Sequence, residues 1–544
     1  MYTLRKRIAE NWKSGITVAL ISIPLSISLA VASGATPAMG IITAVWAGLL
    51  ASIFGGSNFN IVGPAGALTG LLAAFALTHG MAMMPMLALV SGIFILISYA
   101  LKLERYLVLV PATVMHGFSL GVALIIGLGQ LNFAFGLQNL PKHSEFIANV
   151  ITTFAHIPQI HLETFGVFAV FLVALFALVK WLPKIPAIIA VTPFGILLGF
   201  LAEKQGVLLG VQTLGDRFAD TTITLFSFPS LVFDASIIVP ALGVAFIAIL
   251  ETLISAKIAD IMTHTKFHAR KEMLGLAFAN LGSGIFGGLP ATGVFVRTGL
   301  NVKAGANHKI SATINAIAVA LISIFLFTFF TYIPMAVIAS ILVFASIRMI
   351  EAQHFFELWK NARRDFWLAV LTAIVMVGVD TVVGLLVGSV LALLFFIEKL
   401  AQGQFEMTTN SSEKKIMHRY YEEKPECFQE TCEVLVYSMK GEFAYMNAEA
   451  HMERLENHSD FFETVVLRMR ELAFVDLEGV HAFDHMVSTL TAQGKNVLVS
   501  SVTDPVATEL AKGEMFAQLI SQGKVFENTR TALKALGFKD GDIT

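Results

Sequence analysis

Gly287-Gly288-Leu289-Pro290-Ala291-Thr292-Gly293-Val294-Phe295-Val296-Arg297-Thr298 lies between two long apolar segments. It is too rich in glycine and proline to be a full membrane span, yet it carries an arginine at membrane depth. In hydrocarbon every backbone polar group needs a partner within the protein, so irregular backbone at that depth marks a lined cavity or binding site. A second break precedes it by 232 residues: Gly55-Gly56-Ser57-Asn58-Phe59-Asn60-Ile61-Val62-Gly63-Pro64-Ala65-Gly66-Ala67. Both open on Gly-Gly, reach a proline and run into a short apolar helix.

The rest of the chain reads as scaffold around these two breaks. Of 544 residues, 56% are hydrophobic and 14% charged, against about 25% charged in soluble domains, which defines a polytopic helical membrane protein. Met1 to Lys13 is basic, and the long apolar segment after it reads as a first span rather than a cleaved signal peptide. The net charge of −2 says nothing about partners, and no feature calls for nucleic acid. Cys427 and Cys432 form neither a metal motif nor a disulfide framework.

Apolar segments near the ~20-residue length of a bilayer span recur over 14–33, 37–54, 85–101, 107–130, 163–181, 186–203, 236–256, 272–289, 309–330, 334–350, 365–381 and 383–400, with half-helices at 64–79 and 291–301. Fourteen elements divide into seven and seven. Val110-Pro111 opens the fifth and Ile333-Pro334 the twelfth, 223 residues apart and close to the spacing of the breaks. An odd number per half inverts the second half relative to the first, so the broken helices should meet near the midplane.

Lys and Arg set the orientation. With a cytoplasmic N-terminus, that side collects Arg5, Lys6, Arg7, Lys13, Lys102, Arg105, Lys180, Lys184, Lys257, Lys266, Arg270, Lys271, Lys303, Lys309, Arg348, Lys360, Arg363 and Arg364; the other receives Lys142, Lys204 and Arg217. The reading is a multi-pass protein of the cell (inner) membrane, with both termini cytoplasmic. Residues 1–400 form the membrane domain, 401–431 a polar linker and 432–544 a small α/β domain with strands near 433–439, 463–469 and 496–502.

Arg297 leads the functional residues. A cation near the bilayer centre costs roughly 2.5–3.5 kcal/mol, so it must be paired or serve a ligand. It sits one turn into a half-helix whose opening N–H groups, at Thr292 to Val294, should lack acceptors, and a helix N-terminus attracts anions. Two such ends beside one arginine suggest an anionic substrate; the competing role is an arginine that only ties the half-helix to backbone or to a carboxylate. Glu251 follows more than a dozen uncharged residues, with Ser255 one turn on along the same helix face. A buried carboxylate beside a hydroxyl suits a coupling cation, Na⁺ or H⁺; the competing role is a fixed Glu251–Arg297 ion pair. Asp380 reads as structural, and His116 as a packed or hydrogen-bonded core histidine. The sequence offers no Walker lysine motif, nucleophile constellation or Cys/His metal spacing, hence no cofactor, no enzymatic site and no ATP-driven transport.

Ile23-Pro24 followed by Ala32 to Gly40, Val62-Gly63-Pro64-Ala65-Gly66, Glu251-Thr252-Leu253-Ile254-Ser255 and the stretch Gly287 to Gly305 resemble the sulfate permease (SulP) family of anion transporters, and the C-terminal part looks like a STAS domain. The resemblance covers nearly the whole chain. It implies a seven-plus-seven inverted repeat of core and gate, a homodimer, and elevator-like alternating access. It places the anion, which sulfate, bicarbonate or a dicarboxylate such as fumarate would satisfy, at Ser26, Ala65, Gly66, Val294, Val296 and Arg297, and a coupling cation at Glu251 and Ser255. Glu251 stands where the bicarbonate branch has Asp, which leaves Na⁺ against H⁺ open. Val296 replaces a small or hydroxyl residue, which shifts coordination towards backbone N–H groups. Leu477 replaces the Ser phosphorylated in soluble STAS relatives, which excludes phosphoregulation there and leaves a regulatory role or docking of a cytoplasmic protein. A nucleobase permease of the same fold is disfavoured by Arg297 and the STAS domain. An anion channel, an exchanger, a voltage-responsive motor and a membrane-anchored regulator also compete with the symporter reading.

Overall fold

In a computed structural model the chain forms two compact units, Met1–Ala392 and Leu393–Thr544. Described residues are 2–109, 111–138, 140, 141, 143, 145–183, 186–205, 210–218, 224–226, 228, 229, 232–410, 416–420 and 432–539. Val110, Lys142, Lys184 and Cys427 lie outside them.

All fourteen membrane elements form. They are α1 (Tyr2–Ala32), α2 (Pro37–Phe54), α3 (Gly66–His79), α4 (Met84–Ala100), α5 (Ala112–Leu128), α6 (Leu162–Trp181), α7 (Ala187–Gln205), α8 (Ile238–Thr263), α9 (Ala269–Ile285), α10 (Phe295–Lys303), α11 (Ile310–Phe330), α12 (Met335–Met349), α13 (Arg363–Gly378) and α14 (Thr381–Ala401). Among the described residues ten helices are long and apolar enough to cross a membrane; α9 and α13 fall just short, and α3 and α10 are the half-helices. Two short strands, β1 (Val62–Gly63) and β2 (Thr292–Gly293), precede the half-helices.

Local chemistry sets the boundaries. Thr36 caps α2 by accepting the Met39 N–H at 3.3 Å, with Pro37 in the first turn, where its missing N–H costs nothing. Pro111 and Pro334 are the N-caps of α5 and α12, the same device in each repeat. The fifth element therefore begins at Ala112 rather than at 107, because a proline cannot continue a helix from before it; residues Leu103–Leu109 form a separate 3₁₀ turn. Asp380 accepts the Val382 N–H at 2.7 Å as the cap of α14, a structural role.

The packing respects the repeat. α1 packs on α11 as α8 packs on α4; α1 on α10 as α8 on α3; α2 on α11 as α9 on α4; and α5 on α13 as α12 on α6. The elements exchanged by the same operation, α2 with α9 and α5 with α12, are in contact. This is the signature of two seven-element halves related by a two-fold axis in the membrane plane. Helices α1–α4 and α8–α11 make one group, and α5–α7 with α12–α14 the other. Large apolar side chains such as Val170, Phe194, Phe325 and Val390 stay exposed on the outer helices, as lipid-facing surface requires.

The second unit is a six-stranded sheet, β3 (Gln404–Asn410), β4 (Ile416–Tyr420), β5 (Cys432–Phe443), β6 (Phe462–Val475), β7 (Asn496–Ser500) and β8 (Val525–Phe526), in the order β4-β3-β5-β6-β7-β8. β5 to β8 are parallel, and β3 runs antiparallel to both β4 and β5. The linker expected over 401–431 is corrected here: β3 pairs with β5 over most of its length and buries Phe405 and Met407. A polar composition hid this strand: Gln404, Glu406, Thr408, Thr409 and Asn410 surround its two apolar residues, and Glu406 and Asn410 are buried although polar. Burial pushes the Cys432 thiol up to about 11, which makes it an unreactive core residue.

His451 in the helix Ala448–Asn457 is fully buried, with Nδ1 2.6 Å from the Tyr437 hydroxyl. Desolvation, then the nearby Arg454 charge, pushes its pKa down from 6.5 to about 3. The unfolded chain thus binds the proton first, and stability drains away as pH falls from 6.5 towards 3. Protection factors of β5 amides, in which the intrinsic pH dependence of exchange is divided out, should fall on acidification across that window, and His451→Leu should flatten the dependence.

Candidate functional site

The two breaks meet. Ahead of the half-helices their regular structure is the pair β1 and β2, joined antiparallel with Val62 opposite Gly293 and Gly63 opposite Thr292. The irregular backbone around them is satisfied by side chains from distant elements. Glu272 of α9 takes the N–H groups of Gly56 and Ser57 on one carboxylate oxygen and the Asn60 amide on the other, each at 2.7 Å. Thr43 of α2 accepts the Leu289 N–H at 2.6 Å, and Asn280 exchanges two 2.9 Å hydrogen bonds with the backbone of Ala291. Close approach demands glycine at this crossing: a Cβ on Gly293 would lie 2.6 Å from the Asn60 amide nitrogen and 3.0 Å from Thr252 Cα.

Immediately beyond the strands, α3 and α10 begin. Their N-caps, Ala65 and Val294, are buried and supply no side-chain hydrogen bond. Buried helix starts without caps leave N–H groups for a ligand. The structure corrects which groups these are. Gly293 N–H donates to Thr252 Oγ1 at 2.8 Å, Val294 N–H donates to Ile61 O at 2.9 Å, and Thr292 belongs to β2. The opening turn of α10 is therefore Phe295 to Arg297, not Thr292 to Val294.

Arg297 is 1% exposed, and its Nε and Nη2 are buried without a hydrogen-bond partner. A Cβ on Gly63 would come within 2.8 Å of Nη1, so the guanidinium lies against β1 of the other repeat. α1 packs on both α3 and α10 and carries Ser26, whose buried hydroxyl, like that of Ser22 one turn earlier, has no partner. Four donor atoms, two on the guanidinium and two hydroxyls, are thus buried and unpaired on elements packed about the two helix starts. Orphaned buried donors are rare and costly. Gly66 is half-buried, facing Ile126 and Val122 of α5. Val296 is 41% exposed, the one expected anion residue with an exposed side chain.

Glu251 and Ser255 do not share partners. Glu251 accepts from Thr292 Oγ1 at 2.5 Å, whereas Ser255 donates to Asn60 Oδ1 at 2.7 Å and sits 2.9 Å from Thr298 Oγ1. Thr298 in turn donates to Asn60 Oδ1 and accepts the Ile61 N–H. Ser255 belongs to the knot holding the breaks together; Glu251 touches the second break alone. No ion pair within 4.0 Å joins Glu251 to Arg297 among the described residues, although each lies within the other's electrostatic reach.

Sequence reasoning missed Ser22, Asn60, Thr252, Glu272, Thr292 and Thr298 as working residues. Ser22 is one turn from Ser26, a spacing that was readable. Glu272 follows Arg270-Lys271 and so resembles a solvated helix start, which hides that it is 3% exposed.

Two facing broken helices beside a buried arginine, in a seven-plus-seven scaffold with a mixed α/β second unit, define a polytopic helical membrane transporter. The chain belongs to the sulfate permease family, whose match covers residues 8–372, and residues 428–532 match the STAS domain. YvdB of Bacillus subtilis, which carries a sulfate-transporter name, is 27% identical over 93% of each chain. The bicarbonate transporter BicA of Picosynechococcus is 24% identical over 96% of this chain and 93% of its own. Among solved structures, the murine Slc26a9 anion transporter in its inward-facing state aligns with a TM-score of 0.78 at 16% identity, covering 97% of this chain and 91% of that one. The transmembrane domain of a cyanobacterial BicA aligns at 0.59 and 23% identity over 70% of this chain and 97% of that one.

Removing the Glu272 carboxylate strands the buried Ser57 N–H, takes the acceptor from the half-buried Gly56 N–H and leaves the Asn60 amide only Thr252 O, at about 1–3 kcal/mol for each stranded donor. Glu272→Ala should lower stability by about 3 kcal/mol or more, read as an earlier thermal midpoint in detergent, and Glu272→Gln should recover part of it.

Proposed function

We propose that the protein is a secondary active transporter of a small anion, drawn from sulfate, bicarbonate and dicarboxylates, working as a symporter with Na⁺ or H⁺. The observation that carries this reading is the set of buried, unpaired donors, Arg297 Nε and Nη2 with Ser22 and Ser26 Oγ, on elements packed about two uncapped helix starts. An oxyanion supplies the acceptors these groups lack and complements the charge. The names of YvdB and BicA support an inorganic oxyanion.

Glu251 is the coupling group. It is 4% exposed, bound to Thr292 of β2 and within electrostatic reach of Arg297. Loading it with a cation neutralises a negative charge beside the anion pocket and favours anion occupancy. Ser255 contributes by holding Asn60 and Thr298, which brace the same pair of breaks, rather than by sharing an ion with Glu251.

The movement we assign is elevator-like. Ser26, Ala65, Gly66, Glu251, Val294 and Arg297 all lie in the α1–α4 and α8–α11 group, so rigid displacement of that group carries the whole site past α5 and α12. We place the protein in the inner membrane as a homodimer with cytoplasmic termini, the STAS unit docking a cytoplasmic protein.

Proteoliposomes filled with buffer and offered labelled sulfate, bicarbonate or fumarate, under an imposed Na⁺ or pH gradient, test this directly. Wild type should accumulate one anion above equilibrium under one of the two gradients. Glu251→Gln should lose accumulation, and Arg297→Lys should cut uptake roughly tenfold or more, because a point charge cannot reproduce the planar fork. Equilibration without accumulation in wild type would replace symport by a channel or exchanger.

A further inference from the structure

Away from the anion pocket, at the start of α5, three metal-ligating side chains converge from two separated stretches of chain. His116, expected as a lone packed histidine, lies with Nδ1 2.9 Å from Glu351 Oε2. Its ring packs on that of His354, with centroids 4.1 Å apart and planes at 35°. One donor atom from each of the three falls within 4.8 Å of the others. Glu351 and His354 occupy the N-cap and first turn of a surface helix, Ala352–Asn361, that directly follows α12.

The geometry points to a binding site for a single borderline divalent metal ion, of the Zn²⁺ class, held by His116, Glu351 and His354. Two imidazoles and one carboxylate are the donor set that Zn²⁺ and its neighbours prefer over Mg²⁺ or Ca²⁺, which take oxygen. Around a tetrahedral ion with bonds of about 2.0–2.2 Å, donor atoms sit about 3.4 Å apart. The donor atoms, within 4.8 Å of one another and 2.9 Å apart for His116 and Glu351, would shift to that spacing on binding, with the half-exposed Glu351 and His354 side chains placed to rotate. The backbone is already set for it: Ser119 Oγ of α5 donates to Met349 O at 3.1 Å, and the His354 N–H donates to Glu351 O at 2.9 Å. Glu357 Oε2, 4.0 Å from His354 Nδ1, lies beyond hydrogen-bond reach and adds a nearby negative charge to the cluster. The side chain of His116 is 19% exposed, and those of Glu351 and His354 about half exposed at 53% and 49%, so an ion can enter from water. Three protein donors leave a fourth position to water. The bound ion would tie the start of α5 to the end of α12, the helices whose N-caps are Pro111 and Pro334.

Zinc titration of the purified full-length protein in detergent tests the assignment, with binding followed calorimetrically and cobalt substitution followed by its visible absorption. Wild type should bind one equivalent with micromolar affinity and gain thermal stability. His116→Asn and His354→Asn should each weaken that equivalent roughly tenfold or more, and the pair together should abolish both it and the stabilisation. Glu351→Gln keeps the shape and should weaken binding while leaving the elution profile unchanged. Unaltered binding in the double variant, or no zinc bound by wild type at micromolar concentration, would overturn the site. If the histidine variants fail to fold, the cobalt spectrum of wild type decides: tetrahedral bands support the site, and an unchanged aqueous spectrum refutes it.

Discussion

Everything in the membrane unit depends on four residues, Val62, Gly63, Thr292 and Gly293, pairing across the centre of the protein. In a medium without water an unpaired N–H or C=O costs several kcal/mol. A chain that breaks two helices at that depth must therefore find partners for each freed group. The β1–β2 pair supplies some of these partners, and side chains from α2, α8 and α9 supply others. Gly63 and Gly293 are fixed by this crossing, since a side chain at either position runs into Arg297 or Asn60.

The same arrangement explains why the pocket is poised for a ligand. Satisfying the backbone of the breaks consumes Thr43, Ser57, Thr252, Glu272, Asn280, Ser283 and Thr298, while Asn60 and Ser255 are tied to Thr298 through their side chains. On α1 and α10 the buried polar side-chain atoms without a partner are two guanidinium nitrogens of Arg297 and the hydroxyls of Ser22 and Ser26, each able to donate a hydrogen bond, and α1 packs on both half-helices. A site rich in donors disfavours cations and suits acceptor-only oxyanions. Glu251 balances it from one side, held off Arg297 by its hydrogen bond to Thr292 instead of collapsing into a permanent ion pair.

Periodicity and punctuation made the architecture legible. The Gly-Gly and Pro pairs located both breaks, the proline pair located the starts of the fifth and twelfth elements, and the apolar runs placed the membrane helices in order. The strand Gln404–Asn410 escaped because five of its seven residues are polar, a composition close to that of a linker, even where they are buried. The free N–H groups were placed one turn early because the short strand β2 cannot be read from two residues.

What the sequence by itself determined is the set of local facts: where the chain cannot stay helical, that an arginine and a glutamate sit at depth, and that seven elements repeat with inverted sense. Helical spacing also put Glu251 and Ser255 on one face. Only the tertiary structure decided that they serve different partners, one across to Thr292 and the other to Asn60, 195 residues away in the chain. A helix face spans more than one neighbour, and which neighbour each residue meets depends on distant segments whose approach no local pattern encodes. The convergence of His116 with Glu351 and His354 is the same case, since it exists only because α5 and α12 pack together.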